Sequence, residues 1–304
     1  MAGQSQGAFS KLAIDGNQFC FESFKDMSVF QYWDGSEEAI CGDLDSFLSR
    51  TGEGIVIPKF KIVMSPTPEE EDLLYPLAGF SESTDVFTPI DDFSSISFDV
   101  EAYKVASLDT FTGAMFDKLT WRGRKGGGAW KLEIEGYATG LTVDAGGTFS
   151  ASSITKTSPF VFHQSVLNLN SGAEAFQSGV ISLNNNLYVQ HNNSQFPTSI
   201  RPQHREFGLG VDTPYTSDET ALLTAFTGET DATPPGDDPS STGYGGSVVC
   251  TRGGLSRTFT FYNLKSAAKL ADIDGKTEIR NRMWFKAFGD ASNKPMTITN
   301  DITA

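Results

Sequence analysis

The chain has few cysteines, few histidines and no long apolar run. Cys20, Cys41 and Cys250 are odd in number and widely spaced, with no C-x-x-C pair. That pattern indicates neither a disulfide framework nor a zinc site and reads as buried free thiols. No apolar stretch reaches the roughly 18 residues that a membrane-crossing helix needs. The N-terminal MAGQSQGAFS lacks a basic region followed by an apolar one, so a protein made and kept in a cytoplasm, with no membrane partner, is expected.

His163, His191 and His204 occur without a Gly-x-Ser-x-Gly elbow or a His-Glu-x-x-His helix. Packing or surface roles are expected for them, and no enzyme, catalytic residue, metal site or cofactor is expected. Basic charge is also scarce: 23 Lys and Arg face 38 Asp and Glu, a net charge of −15. Such a balance opposes general nucleic-acid binding, which rests on cations meeting phosphates.

The 304 residues, 38% hydrophobic and with 24 Phe and 30 Gly, suit a soluble globular protein of two domains. Charge divides unequally between the halves. Residues 1–155 carry 24 acidic and 11 basic side chains, and residues 156–304 carry 14 and 12.

Short alternating runs predict half-buried antiparallel strands: Phe60-Lys-Ile62, Trp130-Lys-Leu132-Glu-Ile134, Val166-Leu-Asn-Leu169 and Thr258-Phe-Thr-Phe261. One segment breaks this rhythm, Thr67-Pro-Glu-Glu-Glu-Asp-Leu-Leu-Tyr-Pro-Leu-Ala-Gly-Phe80. Thr67 is placed as N-cap and Glu70 as its capping-box partner, with Leu73 and Leu74 as core anchors. Pro76 limits the helix to two or three turns, and Gly79 ends it. The acids Glu69, Glu70, Glu71 and Asp72 are explained by capping and the helix dipole rather than as a metal or acid–base cluster.

The same grammar returns 149 positions later, with Thr216 and Glu219 as caps and Leu222 and Leu223 as anchors. The preceding strand residues Phe60 and Ile62 then fall on Leu209 and Val211. At other offsets, Leu12-Ala-Ile14-Asp-Gly resembles Leu167-Asn-Leu169-Asn-Ser-Gly, and Leu132-Glu-Ile134 resembles Met283-Trp-Phe285. A diverged tandem duplication follows, with domains at 1–150 and 151–304 joined near the small-residue stretch 145–153. The polar, Pro- and Gly-rich stretch from Gly228 to Gly246 is too long for an ordinary loop, and such loops are usually functional or disordered.

Three segments carry a family pattern: Ser165-Val-Leu-Asn-Leu-Asn, Ile181-Ser-Leu-Asn-Asn-Asn-Leu187, and Arg205-Glu-Phe-Gly-Leu-Gly-Val ahead of the capped helix. With the glycine-rich hairpin from Asp117 through Gly126-Gly-Gly to Leu132, they resemble the tail tube proteins of long-tailed, non-contractile bacteriophages (siphophages) in a two-domain form. The first half departs from the pattern, with Trp33-Asp-Gly where the second has Asn184-Asn-Asn-Leu187.

The resemblance implies a mainly β chain of two tandem tail-tube β-sandwich domains, each with one short flanking helix. Inner strands would join those of neighbours into a closed barrel. It further implies a virion structural protein of the viral tail, made in the host cytoplasm, self-assembling as a homotrimeric, pseudo-hexameric ring that stacks into a tube. Its partners would be other copies, other tail proteins at the tip and terminator ends, and genomic DNA in transit during ejection without specific binding. An acidic inner wall would keep that DNA from adhering.

Other constellations read as structure. The run from Trp121 and Arg122 to Lys131 has the basic and aromatic mixture of a nucleic-acid contact, but a hairpin tip is favoured. Asp272-Ile-Asp-Gly lacks the later ligands of a calcium loop. The competing functional reading is a carbohydrate- or receptor-binding β-sandwich virion protein that presents exposed Trp, Tyr and Asn. A hydrolase, lacking any nucleophile–base motif, ranks last.

Overall fold

The computed structural model describes residues 10–31, 55–169, 172–192, 194–214, 244–266 and 280–302. Among them the chain is mainly β, with one α-helix. Thr216, Glu219, Leu222 and Leu223 lie outside the described residues, as do Cys41 and residues 33–43, 228–243 and 272–276.

The first half opens with β1 (Lys11–Ile14), β2 (Asn17–Phe19), β3 (Ser23–Asp26), β4 (Val29–Gln31), β5 (Ile55–Ile57) and β6 (Lys59–Met64). Asp15 and Gly16, with φ of 49° and 71°, form the two-residue turn between β1 and β2. After helix α1 (Pro68–Leu77) come β7 (Phe80–Ser83), β8 (Val86–Pro89), β9 (Phe98–Tyr103), β10 (Ser107–Arg124), β11 (Lys131–Tyr137) and β12 (Gly140–Ala145). Strands bury alternate residues, as in β6, where Phe60, Ile62 and Met64 point inward between Lys59, Lys61 and Val63.

Helix α1 begins with a reciprocal capping box. Glu70 N–H donates to Thr67 Oγ1 at 3.4 Å, and Thr67 N–H donates to Glu70 Oε2 at 2.9 Å. Pro68 opens the first turn, Pro76 lies inside the last, and Gly79 follows with φ of 86°. The helical period turns Glu70, Glu71, Leu74 and Tyr75 inward together. Leu73 falls off that face and is 38% exposed, so Leu74, and not Leu73, anchors the helix.

The second half begins with β13 (Ser152–Ser153), β14 (Ser165–Leu169), β15 (Gly172–Glu174), β16 (Ser178–Asn184), β17 (Tyr188–Gln190), β18 (Ser199–Arg201) and β19 (Glu206–Pro214). It closes with β20 (Tyr244–Arg252), β21 (Leu255–Ser266), β22 (Arg280–Phe288) and β23 (Met296–Asp301). Its registers repeat those of the first half. Leu12 opposite Phe19 becomes Leu167 opposite Glu174, a shift of 155 on both strands. Ile62 opposite Ile134 becomes Val211 opposite Met283, and Phe60 opposite Gly136 becomes Leu209 opposite Phe285, each shifted by 149.

Even an irregularity is repeated. The bulge that separates the Phe111–Val100 pair from Ala114–Phe98 returns between Phe261–Gly246 and Leu264–Tyr244. Thus β1, β2, β3, β6, β9, β10, β11 and β12 correspond to β14, β15, β16, β19, β20, β21, β22 and β23. The registers also correct one sequence match: Met283 corresponds to Ile134 and not to Leu132. A two-residue slip keeps the same sheet face, so alternation alone could not detect it.

Strand β10 carries 18 residues and serves two sheets. Its first part pairs with β9 and β12, and its second part lies between β11 and β16. The order β3-β6-β11-β10 is therefore continued by β16-β19-β22-β21 in one sheet. Among the described residues these pairings form no ring and hence no closed barrel. One core runs beneath both halves and includes Trp121 against Phe259, ring centroids 5.2 Å apart, and Tyr75 against Phe87 at 4.8 Å.

Asn300 of β23 ties the helix start to the second half, its Nδ2 donating to Pro68 O at 2.9 Å and to Asp72 Oδ1 at 2.6 Å. Burial raises the pKa of Asp72 from 3.8 to about 6 against this bond, and the neighbouring Glu82, Glu71 and Asp85 add to the rise. A raised carboxylate contributes stability that is full below the unfolded pKa and is lost as pH rises through the folded one. Asp72→Asn is therefore expected to stabilise the protein above pH 6, by on the order of 1 kcal/mol after solvent screening, and to change little at pH 4. Thermal unfolding at the two pH values measures this; equal effects at both would contradict it.

Candidate functional site

The most elaborated place in the molecule is the junction where the two halves share a sheet. Seven residue pairs, from Lys118–Asn184 to Arg124–Ser178, form the β10–β16 ladder. Asn184, Asn185, Asn186 and Leu187 end that ladder. Asn185 is fully buried, its Nδ2 donating to Phe116 O at 2.8 Å and its backbone N–H to Asp117 O at 2.7 Å. Asp117 Oδ1 accepts from Leu187 N–H at 2.8 Å, and Asn186 takes a φ of 48° that asparagine tolerates. The Asn-Asn-Asn-Leu segment of the sequence is thus the clasp between the halves.

Arg205 extends the clasp to the helix. Its Nε donates to Asn185 Oδ1 at 2.9 Å, Nη2 to Ala78 O at 2.9 Å, and Nη1 to Gly79 O and Ile90 O at 3.1 Å. It thereby supplies a cation and donors at the carbonyl end of α1. The guanidinium lies 4.6 Å from the Phe93 ring centroid, and its burial lowers its pKa to about 10, which leaves it charged at neutral pH.

A second pin crosses the interior. Arg257 Nη1 of β21 donates to Glu71 Oε1 of α1, and Trp121 Nε1 donates to the same oxygen at 3.1 Å. Both charged side chains are essentially inaccessible, and Arg257 lies 5.0 Å from the centroids of Phe160 and Phe259. Burial pushes the Glu71 carboxyl up against the pull of Arg257. Arg257 itself is lowered by burial but raised further by Glu71, Cys250 and Tyr75, so it stays charged.

The other acids of the helix also have individual partners. Glu70 Oε1 accepts from Cys20 N–H at 2.9 Å and lies 2.7 Å from Lys156 Nζ. Glu69 Oε2 accepts from the backbone and hydroxyl of Thr157, at 3.2 and 3.1 Å. Capping and the dipole alone therefore understate this acidic run, which also tethers the segment connecting the halves. Of the two described cysteines, Cys250 is buried and Cys20 exposed.

At the opposite end of the shared sheet, β3 pairs only with β6 among the described residues. By the repeat, β3 corresponds to β16, the strand that β10 joins. Next to this open edge Met27, Val29 and Phe30 are 40%, 45% and 54% exposed. The register shift of 155 between β3 and β16 corrects the sequence match: Val29 and Phe30, and not Trp33 and Asp34, stand where the second half has Asn184 and Asn185.

The solvent face of the sheet has its own composition. On the first-half strands it presents Lys25, Lys59, Lys61, Lys131, Lys118, Arg122 and Arg124, with the acids Glu133 and Glu135. On the second-half strands it presents Arg282, Lys286 and Lys265 with Glu206 and Asp212. This face is basic in a chain of net charge −15. Lys61 Nζ lies 3.2 Å from both Glu133 and Glu135; burial tends to raise Glu135, but Lys61 and Lys59 hold it below the usual carboxylate range.

Where the junction crosses this face, a shallow groove is lined by Lys118, Arg122, Ser182, Asn184, Glu206 and Trp284. Trp284 lies over Gly208 and Gly210, where an added Cβ would come within 3.0 and 2.5 Å of the indole, so its ring can sit flat only on glycines. It is half-exposed, whereas Trp121 and Trp130 are buried.

Replacing Arg257 with Met leaves Glu71 buried beside an apolar side chain and is expected to cost about 3–5 kcal/mol, while Glu71→Leu with Arg257→Met regains most of the loss. Urea unfolding measures both, and a single variant within 1 kcal/mol of the parent would show that the pair does not hold the halves. No family model matches the chain, and no curated protein matches its sequence.

Proposed function

We propose that this protein is a structural subunit that assembles edge to edge into rings, and that the rings stack as the tail tube of a long-tailed, non-contractile bacteriophage. The observation that carries the reading is the pairing of one half's β10 with the other half's β16, while the equivalent strand β3 has an open edge among the described residues. A head-to-tail contact used once inside the chain propagates when the next copy supplies it, and it closes if the rotation per repeat completes a turn. Four strands per half, in the same order, would then line a closed barrel shared between copies.

Two repeats per chain correspond to three chains in a pseudo-sixfold ring. The reading places the protein in the virion tail after synthesis in the host cytoplasm, as the conduit for genome ejection, with further tail proteins at its ends. It involves no catalysis. Half-exposed Trp284 beside Asn184 and Glu206 suits the second reading, a carbohydrate-binding virion protein, since an indole face stacks on sugar rings.

Met27 N–H donates to Lys59 O, so by ladder alternation the Asp26 N–H faces away from β6. Asp26→Pro therefore removes a donor from the open edge, leaves the β3–β6 ladder bonds in place, and within the fold gives up only the exposed bond from Ser28 N–H to Asp26 Oδ1. The parent, concentrated or seeded with a tail-tip nucleator, is expected to give three-chain rings or tubes by electron microscopy and light scattering. The variant is expected to remain a single chain of parental circular dichroism. A parent that stays monomeric with the nucleator and binds glycans on an array would replace the tube reading with the second one.

A further inference from the structure

The solvent face of the shared sheet carries ten of the chain's 23 basic residues and four of its 38 acids. The chain as a whole is acidic, so this concentration is a property of strand order: both halves contribute, and β10, at the centre, supplies Lys118, Arg122 and Arg124 on alternate positions. Lys59, Lys61 and Arg122 have Glu133 or Glu135 as partners, Lys131 has Glu22 at the margin of the face, and Lys286 has Glu206. Five carboxylates, the four on the face and Glu22 beside it, against ten cations leave an excess of positive charge.

We infer that this face is a contact surface for the phosphate backbone of duplex nucleic acid, centred on Lys118 and Arg122. Cations four residues apart on a strand are about 13 Å apart, and neighbouring strands lie about 4.8 Å from each other, so the face is a broad, shallow grid of charge. A grid of this kind meets a rod with one charge per roughly 1.7 Å of axis at several points at once. Ser178, Ser182, Asn184 and Thr120 stand between the cations with groups that donate to phosphate oxygens. Single-stranded nucleic acid would require a row of open stacking aromatics; this face has half-exposed Trp284, while the rings of Phe288 and Tyr137 are covered by Lys265, Lys286 and Lys59. The inference stands on the charge of the face and does not depend on ring assembly.

Fluorescence anisotropy of a labelled 20-base-pair duplex with the full chain tests it. At 20 mM salt the parent is expected to bind in the micromolar to 100 µM range, weakening at least tenfold by 150 mM. Lys118→Glu with Arg122→Glu is expected to lose about tenfold. Lys294→Glu, whose cation pairs with Asp91 away from this sheet, is expected to stay within twofold. Absence of binding at 20 mM salt, or an equal loss in Lys294→Glu, would overturn the inference. So would a heparin oligosaccharide of equal charge binding tenfold more tightly than the duplex. Circular dichroism of each variant excludes misfolding as the cause, and imaging the same samples for rings keeps this result separate from the assembly reading.

Discussion

The ion pair between Glu71 and Arg257 sets the terms for the rest of the structure. Two opposite charges removed from water are tolerated only in fixed geometry with further hydrogen bonds, and here Trp121 supplies one to Glu71. The pair joins the helix of the first half to a strand of the second and requires β10, which carries Trp121, to run between them. The shared core, the β10–β16 ladder and the Arg205 clasp all occupy the space that this pairing defines. Its contribution is to arrangement more than to net stability, since the desolvation of both groups offsets much of their attraction.

The two halves are alike in backbone pairing and unlike in chemistry. At the internal junction Asn185, Asp117 and Arg205 form a polar clasp. The equivalent place at the open edge has Val29 and Phe30. A permanent contact within one chain can use buried hydrogen bonds made once during folding. Under the proposed assembly, an edge that first stays alone and then joins another copy would be served by modest apolar surface, which needs no prior arrangement of partners.

What the sequence disclosed was what is local or periodic. Phe60-Lys-Ile62 and Thr258-Phe-Thr-Phe261 read as strands because one face of each is buried, and Thr67 with Glu70 read as a cap because both bonds span three residues. Helical spacing does not say which face meets a sheet, so the sequence alone places Leu73 inward beside Leu74. The partner of Glu71 lies 186 residues away, and no pattern near either residue announces it. The basic face was illegible for a related reason. Its charges are scattered along the chain at alternate strand positions and become neighbours only once strand order is known. The Asn-Asn-Asn-Leu segment was visible as a motif, but its work, receiving Arg205 and Asp117, was not.

The clasp of Arg205 on the carbonyl end of α1 bears on the time course of folding. While the ribosome has delivered only the first half, the helix has neither Arg205 for its carbonyls nor Arg257 for Glu71, and the far side of β10 has no strand to pair with. The first half is thus left incomplete until the chain is nearly finished. Contacts this distant in sequence favour slow, late consolidation. The cation that satisfies the carbonyl end of the helix therefore also makes synthesis of the second half a condition for that native helix end.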